Sequence, residues 1–276
     1  MQITDNLRES MGKDWCRLLE EFIVTDAMDE IFRELKSRKG RGILTAPDSS
    51  DLWKAFRLTD PNKMHTIIAG ISPYHTFTKE GKCVADGIAL SCSKTKVLQP
   101  SLDNLYAAWN REYSDSIDPD MDKNPDLSYL CESGVMLYNV ALTVKKDMAC
   151  SDNQLWSKFN KFFWQMINST YSGLCIVLLG NEAHKSAQFI DPLRHYIFKL
   201  EHPAAAAYSG TAYDTKGTFR KIDKILWDNN KIKQEWYRKR NWQEDRTSWE
   251  DIKKSTVGIK STVEKEEEFF NDLPWS

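Results

Sequence analysis

Four short apolar runs, Ile67-Ile68-Ala69, Val135-Met136-Leu137, Leu174 to Leu179 and Tyr196 to Leu200, alternate with stretches of helical periodicity and predict an α/β protein. Each run closes on glycine, asparagine or histidine, the residues of a chain leaving a sheet at its carboxyl edge. The expected architecture is three-layered, α/β/α, around a central, mostly parallel sheet of four strands.

The elements follow in order. Between Trp15 and Leu35 apolar residues recur at helical spacing (Trp15, Leu18, Leu19, Phe22, then Met28, Ile31, Phe32, Leu35), which reads as an amphipathic helical pair. Lys36 to Gly42 is basic and glycine-bearing, so a linker is expected, with Lys36, Arg38, Lys39 and Arg41 solvated. A loop at Ala46-Pro47-Asp48 precedes a short helix around Leu52 to Phe56. The first strand then leads into Gly70-Ile71-Ser72-Pro73-Tyr74-His75, where Gly70 permits close backbone approach and Pro73 stiffens the exit. Asp86 to Ser91 is a second short segment, and Pro100-Ser101 can open a helix through Leu105, Tyr106 and Trp109 whose first N–H groups are able to receive a phosphate. The acidic stretch from Asp115 to Asp122 is a loop that would avoid DNA, and it lacks the glycine and closing glutamate of an EF-hand. The second strand ends on Asn139, a side chain with donor and acceptor able to read one base edge. Leu155, Trp156, Phe159, Phe162, Phe163 and Met166 share one helical face and belong to the core. The third strand turns at Gly180-Asn181, and the fourth runs into Glu201-His202-Pro203 and four alanines.

Composition narrows the function. The 276 residues suffice for one large domain with appendages, and 10 Trp, 10 Tyr and 12 Phe supply much of its core. A net charge of −2 excludes a histone-like, wholly basic binder but leaves room for a local basic groove. The six cysteines form no CxxC pair, so neither a zinc knuckle nor an iron–sulfur cluster is suggested, and free thiols in a reducing cytoplasm are expected. The amino terminus lacks the apolar core of a signal peptide, and no run nears the roughly 18 apolar residues that span a bilayer. A soluble, cytoplasmic monomer without metal or cofactor is the expectation. No GxSxG elbow, P-loop or GxGxxG is present. What remains is a common address: Ser72 to His75, Asn139 and His202 all follow strands at the edge where open α/β sheets bind ligands.

With these residues in view, the chain resembles the uracil-DNA glycosylase family, the branch without an iron–sulfur cluster, over about Trp15 to Trp236. Gly70 to His75 is similar to the water-activating motif GQDPYH, Pro100-Ser101-Leu102 to the phosphate-contacting loop, Leu137 to Val144 to the strand carrying the base-reading Asn, and His202-Pro203 to the start of the HPSPLS loop. The resemblance implies DNA as partner, Asn139 on the base edge, His202 stabilising charge at the base O2, His75 with Ser72 holding the water, Tyr74 excluding a 5-methyl group, and Ser101 and Asn181 near phosphates. It implies a domain over 1–236, followed by a charged, aromatic extension over 237–276 that includes Arg238 to Arg240, Trp242, Trp249 and Glu264 to Glu268.

Three departures bear on function. Ser72 stands where the family has Asp, removing a charge worth several kcal/mol at the transition state, and Asp86 is a candidate replacement base. Leu90 replaces the stacking aromatic and Ile71 the neighbouring Gln, which changes the base pocket. Ala204 to Ala207 replace the segment bearing the bulky wedge. Weak pinching favours bases already loosened or modified, because flipping those costs least. The expectation is a monofunctional DNA glycosylase acting on a non-uracil pyrimidine, a bulky 5-substituted or glucosylated one of the kind phage DNA carries, in phage defence. Slow uracil excision is one alternative, and a decayed scaffold that binds DNA or a replication partner is the other.

Overall fold

The computed structural model describes residues 3–115 and 123–237. The stretch from Asp118 to Asp122 and the extension from Arg238 onward lie outside the described residues.

The described residues carry six strands: β1 (Thr45–Ala46), β2 (Thr66–Gly70), β3 (Val135–Asn139), β4 (Val144–Lys145), β5 (Cys175–Leu179) and β6 (Tyr196–Leu200). Four form a wholly parallel sheet in the order β3-β2-β5-β6, while β1 and β4 pair as a small antiparallel ribbon. The residues of β2, β3 and β5 are buried throughout, which is why they read as continuous apolar runs. At the edge, β6 exposes Tyr196 and Lys199. Gly70 pairs in register with Asn139, so two motifs far apart in sequence end side by side.

Helices flank the sheet and pack through aromatic rings. Tyr138 of β3 stacks on Phe163 of the Asn153–Thr170 helix at 4.3 Å, and Phe163 in turn meets Trp15 and Phe56. A second cluster joins Trp109 of the Pro100–Glu112 helix to Phe219 of the Thr218–Asn230 helix, with Trp236 against both. Such contacts add about 0.5–1.5 kcal/mol each beyond area burial.

Two expectations need correction. The basic segment at Lys36 is not a linker, since one helix runs from Asp26 to Gly40. Arg38 is buried there, not solvated: its guanidinium donates to Asp152 at 2.6 Å and to Glu34 at 2.8 Å, and two carboxylates make burial of the charge tolerable. Secondly, the alanines after His202 form a helix, Pro203–Ser209, because Pro203 at its first position and alanine both favour one. No described helix is long and apolar enough to cross a membrane. All six cysteines are free thiols.

Candidate active site

At the carboxyl ends of the parallel strands lies a cavity of about 510 Å³, within the ~300–1,000 Å³ that small-ligand sites enclose. The exit from β2 gives it Ile71, Ser72, Tyr74 and His75, the end of β3 gives Asn139, the segment after β6 gives His202, and the loop at residues 86–93 gives Ile88 and Leu90. Ser101, at the start of the Pro100–Glu112 helix, completes the ring together with Gln99. Eight of the ten residues expected at the site therefore meet in one space.

Asp86 and Asn181 do not. Asp86 is fully buried behind the cavity wall, where its carboxylate accepts from Ser91 Oγ at 2.7 Å, Lys54 Nζ at 3.2 Å, and the Ile88 and Ser93 amides. With its lone pairs so occupied and no place on the cavity surface, it is not a base for a water there. Asn181 stands exposed on the short Gly180–His184 helix, outside the cavity.

The polar groups that do line the space are poised in specific ways. Asn139 is buried, and among the described residues no side chain or backbone group bonds its side-chain amide, which faces the cavity with donor and acceptor open to whatever enters. Gly70 makes room for it: a Cβ there would lie 2.7 Å from Asn139 Oδ1. His202 caps the Pro203–Ser209 helix, its Nδ1 accepting the Ala204 N–H at 3.2 Å. That bond assigns the proton to Nε2, and burial lowers the ring's pKa to about 4, so at neutral pH His202 is an uncharged donor. Behind it Gly180 (φ +83°) leaves no space for a side chain, because a Cβ would sit 2.9 Å from the His202 Cβ.

Leu90 is held in a left-handed backbone, φ +66°, which costs a residue with a Cβ about 1–2 kcal/mol. Tyr74 donates its hydroxyl to the Leu90 carbonyl at 3.1 Å, tying two walls together. Beside Ser72 lies Cys150, whose thiol burial and Glu182 push up in pKa against the opposing pull of the Asn153 and Ser72 side chains. The thiol is protonated at neutral pH, Ser72 is neutral, and among the described residues no carboxylate or lysine lines the cavity.

Sequence reading passed over Cys150, Gln99 and Gly180. Cys150 sits in a segment without a recognisable motif, and Gln99 directly precedes the Pro100-Ser101-Leu102 motif without belonging to it. Gly180 was visible as a turn, though its contact with His202 depends on β5 and β6 being neighbours.

Known proteins resemble this chain in sequence and in fold. Residues 56–227 match the model of the uracil DNA glycosylase superfamily. The uracil-DNA glycosylase of Acinetobacter baylyi is 28% identical over 89% of this chain and its own full length. That of Dichelobacter nodosus is 31% identical over 84% of this chain and 96% of its own. In three dimensions the mimivirus uracil-DNA glycosylase overlays with a TM-score of 0.73 at 21% identity, covering 83% of this chain and 88% of that one, a likeness of fold. With its sheet order, its four motifs around one cavity and these matches, the chain belongs to the uracil DNA glycosylase superfamily.

Proposed function

We propose that this protein, a DNA N-glycosylase by its family, extrudes a pyrimidine larger than uracil from DNA and hydrolyses its N-glycosidic bond to leave an abasic site. One observation carries the proposal: the cavity of about 510 Å³ joins an unpartnered base-edge reader, Asn139, to a neutral donor, His202, but is bounded by Leu90 where a flat ring would fill space.

In this reading Asn139 pairs with the edge of the flipped base through the amide it turns to the cavity. As the bond between the base nitrogen and the sugar breaks, electrons move onto the base, and His202 donates Nε2–H to the oxygen where charge gathers. A neutral donor suits that step because it needs no charge to be desolvated beforehand. Ser72 and His75 hold the water that attacks the sugar carbon; the electron pair of the broken bond leaves with the base, and the proton the water sheds ends on that departing base, so that the products are the free base and the sugar hydroxyl. Water, not a protein amine, is the nucleophile in this reading, as in the monofunctional glycosylases of the family. With no carboxylate among the described cavity residues, the oxocarbenium-like sugar loses several kcal/mol of stabilisation, and a base that leaves more readily than uracil compensates. Gln99, Ser101 and Ser72 offer amide and hydroxyl groups to a substituent bearing hydroxyls, so hydroxymethylated or glucosylated pyrimidines of phage DNA are the substrates of choice, with a defensive role.

The bond from Tyr74 to Leu90 favours a second reading, slow excision of plain uracil, since it restrains the ring that would meet a 5-substituent. Duplexes carrying uracil, 5-hydroxymethyluracil or its glucosylated form, treated with the protein and then alkali, separate the two. Scission of a 5-substituted substrate at least tenfold faster than of uracil, abolished in Asn139→Ala/His202→Ala, is expected. Uracil as the better substrate overturns the proposal in favour of the second reading, and binding without scission on every duplex overturns both. Leu90→Phe is expected to shift selectivity toward uracil by restoring a stacking ring worth ~1–3 kcal/mol.

A further inference from the structure

The fully buried Asp86 carboxylate does no chemistry in the cavity, yet five donors converge on it from two parts of the chain. Lys54 Nζ reaches it from the Lys54–Leu58 helix; the Ile88 and Ser93 amides and the Ser91 and Ser93 hydroxyls reach it from the loop that follows it. Ser91 Oγ in turn accepts the Leu127 N–H at 3.2 Å, and Cys92 N donates to the Pro125 carbonyl at 2.8 Å, so the loop is also fastened to the segment before β3. Gly87 lies so close to the turn that leads into the Lys54–Leu58 helix that a Cβ there would fall 1.9 Å from the Asp51 carbonyl oxygen. In the middle of this clamp sits Leu90, in its left-handed backbone, with Ile88 beside it, and both face the cavity.

A leucine does not choose that backbone by itself: it is the third residue of a turn closed by the Ser91 N–H on the Ile88 carbonyl at 3.2 Å. The carboxylate braces both ends of that turn, through the Ile88 amide and the Ser91 hydroxyl. By gathering the amide of residue 88 and the hydroxyls of 91 and 93 around one centre, it holds the turn closed while the Ala89 N–H on the Leu137 carbonyl and the Tyr74 hydroxyl on the Leu90 carbonyl fix its tip, with residue 90 facing the cavity.

We infer that Asp86, neutralised by Lys54, is a positioning residue for selectivity: the Lys54-Asp86-Ser91-Ser93 node fixes Leu90 and thereby sets the size of base the cavity accepts. The inference rests on the glycosylase reading for the word base, and on geometry alone for the loop. It predicts that loosening the node changes which substituent is tolerated more than it changes how fast the bond breaks.

Lys54→Gln and Ser93→Ala each remove a donor without touching the cavity, and Ser93→Ala is mild enough to keep the fold if the lysine variant does not. Three measurements are made on the full chain: amide hydrogen exchange across residues 87–92, affinity for a duplex with a tetrahydrofuran abasic-site analogue, and single-turnover excision of uracil and of 5-hydroxymethyluracil. The expected result is exchange at least tenfold faster at 87–92 only, affinity for the analogue within twofold of the unaltered protein, and a ratio of the two excision rates shifted at least tenfold. A common reduction of both rates with their ratio intact marks the node as merely structural and overturns the inference, as does unchanged exchange at 87–92. Should the unaltered protein cleave neither duplex, the glycosylase reading fails by itself. The exchange pattern then still decides whether the node holds the loop: an increase confined to 87–92 supports it, and a uniform increase overturns it.

Discussion

Replacing Gly180 by alanine tests whether the placement of His202 governs catalysis. The added methyl would lie 2.9 Å from the His202 Cβ and 3.1 Å from Ile71 Cδ1, against the ~3.5–4.0 Å at which carbon atoms rest, so the imidazole must retreat by roughly 0.6–1 Å. Gly180 also has φ +83°, which charges alanine about 1–2 kcal/mol of backbone strain. The strain has a built-in control. Gly173 has φ +76° and nothing within 4 Å of the place a methyl would occupy, so Gly173→Ala carries the strain without the collision. Urea denaturation and single-turnover excision are measured for both variants on the best substrate of the panel. Gly173→Ala is expected to lose about 1–2 kcal/mol of stability and to keep its rate. Gly180→Ala is expected to lose at least as much stability and also about 100-fold in rate, the penalty of misplacing a catalytic group by about 1 Å. Equal rates in the two variants would refute the claim that a donor fixed by the β5–β6 neighbourhood drives bond cleavage.

Further outcomes follow from other contacts. His202 is neutral in the folded protein down to about pH 4, whereas the unfolded chain takes up that proton near 6.5; stability therefore falls as pH drops from 6.5 to 4, by about 3 kcal/mol in all. His202→Asn keeps a good helix cap and should flatten that part of the slope in pH-dependent urea melts, leaving the portion due to His65 and His195, whose pKa values burial also lowers. An unaltered slope in the Asn variant would mean His202 is protonated much higher. Gly70→Ala should cut excision about 100-fold by displacing Asn139, yet cost less stability in an Asn139→Ala background, where its clash at 2.7 Å is gone; strictly additive losses in this double-mutant cycle would contradict the packing. Arg38→Met leaves Asp152 buried with hydroxyl partners alone, so a loss of about 3–5 kcal/mol is expected by urea denaturation, and a loss under about 1 kcal/mol would show the pair to be dispensable.

The sheet was legible because β2, β3 and β5 are covered on both sides and must be apolar at every position, a signal that survives without context. The meeting of Ser72, Asn139 and His202 was legible for the same reason: each follows a strand, and parallel strands share one end. What could not be read were pairings between distant segments. Arg38 looked solvated because Asp152, which allows its burial, lies 114 residues away. Asp86 looked available as a base because its donor Lys54 and its loop partners are gathered only by folding. Cys150 reaches the cavity through the turn between β4 and the Asn153–Thr170 helix, and nothing in the local sequence reports where that turn points.

The register of Gly70 against Asn139 has a wider consequence. A ladder of main-chain bonds sets Asn139, the proposed base reader, on the parallel sheet itself, while Leu90, Gln99 and Cys150 are carried by connections between elements. In the proposed site a reader carried by the sheet thus faces walls carried by loops, of which the Leu90 wall is pinned by its own contacts. On that proposal, substitutions in the loops change the walls while leaving the main-chain ladder that carries Asn139 in place.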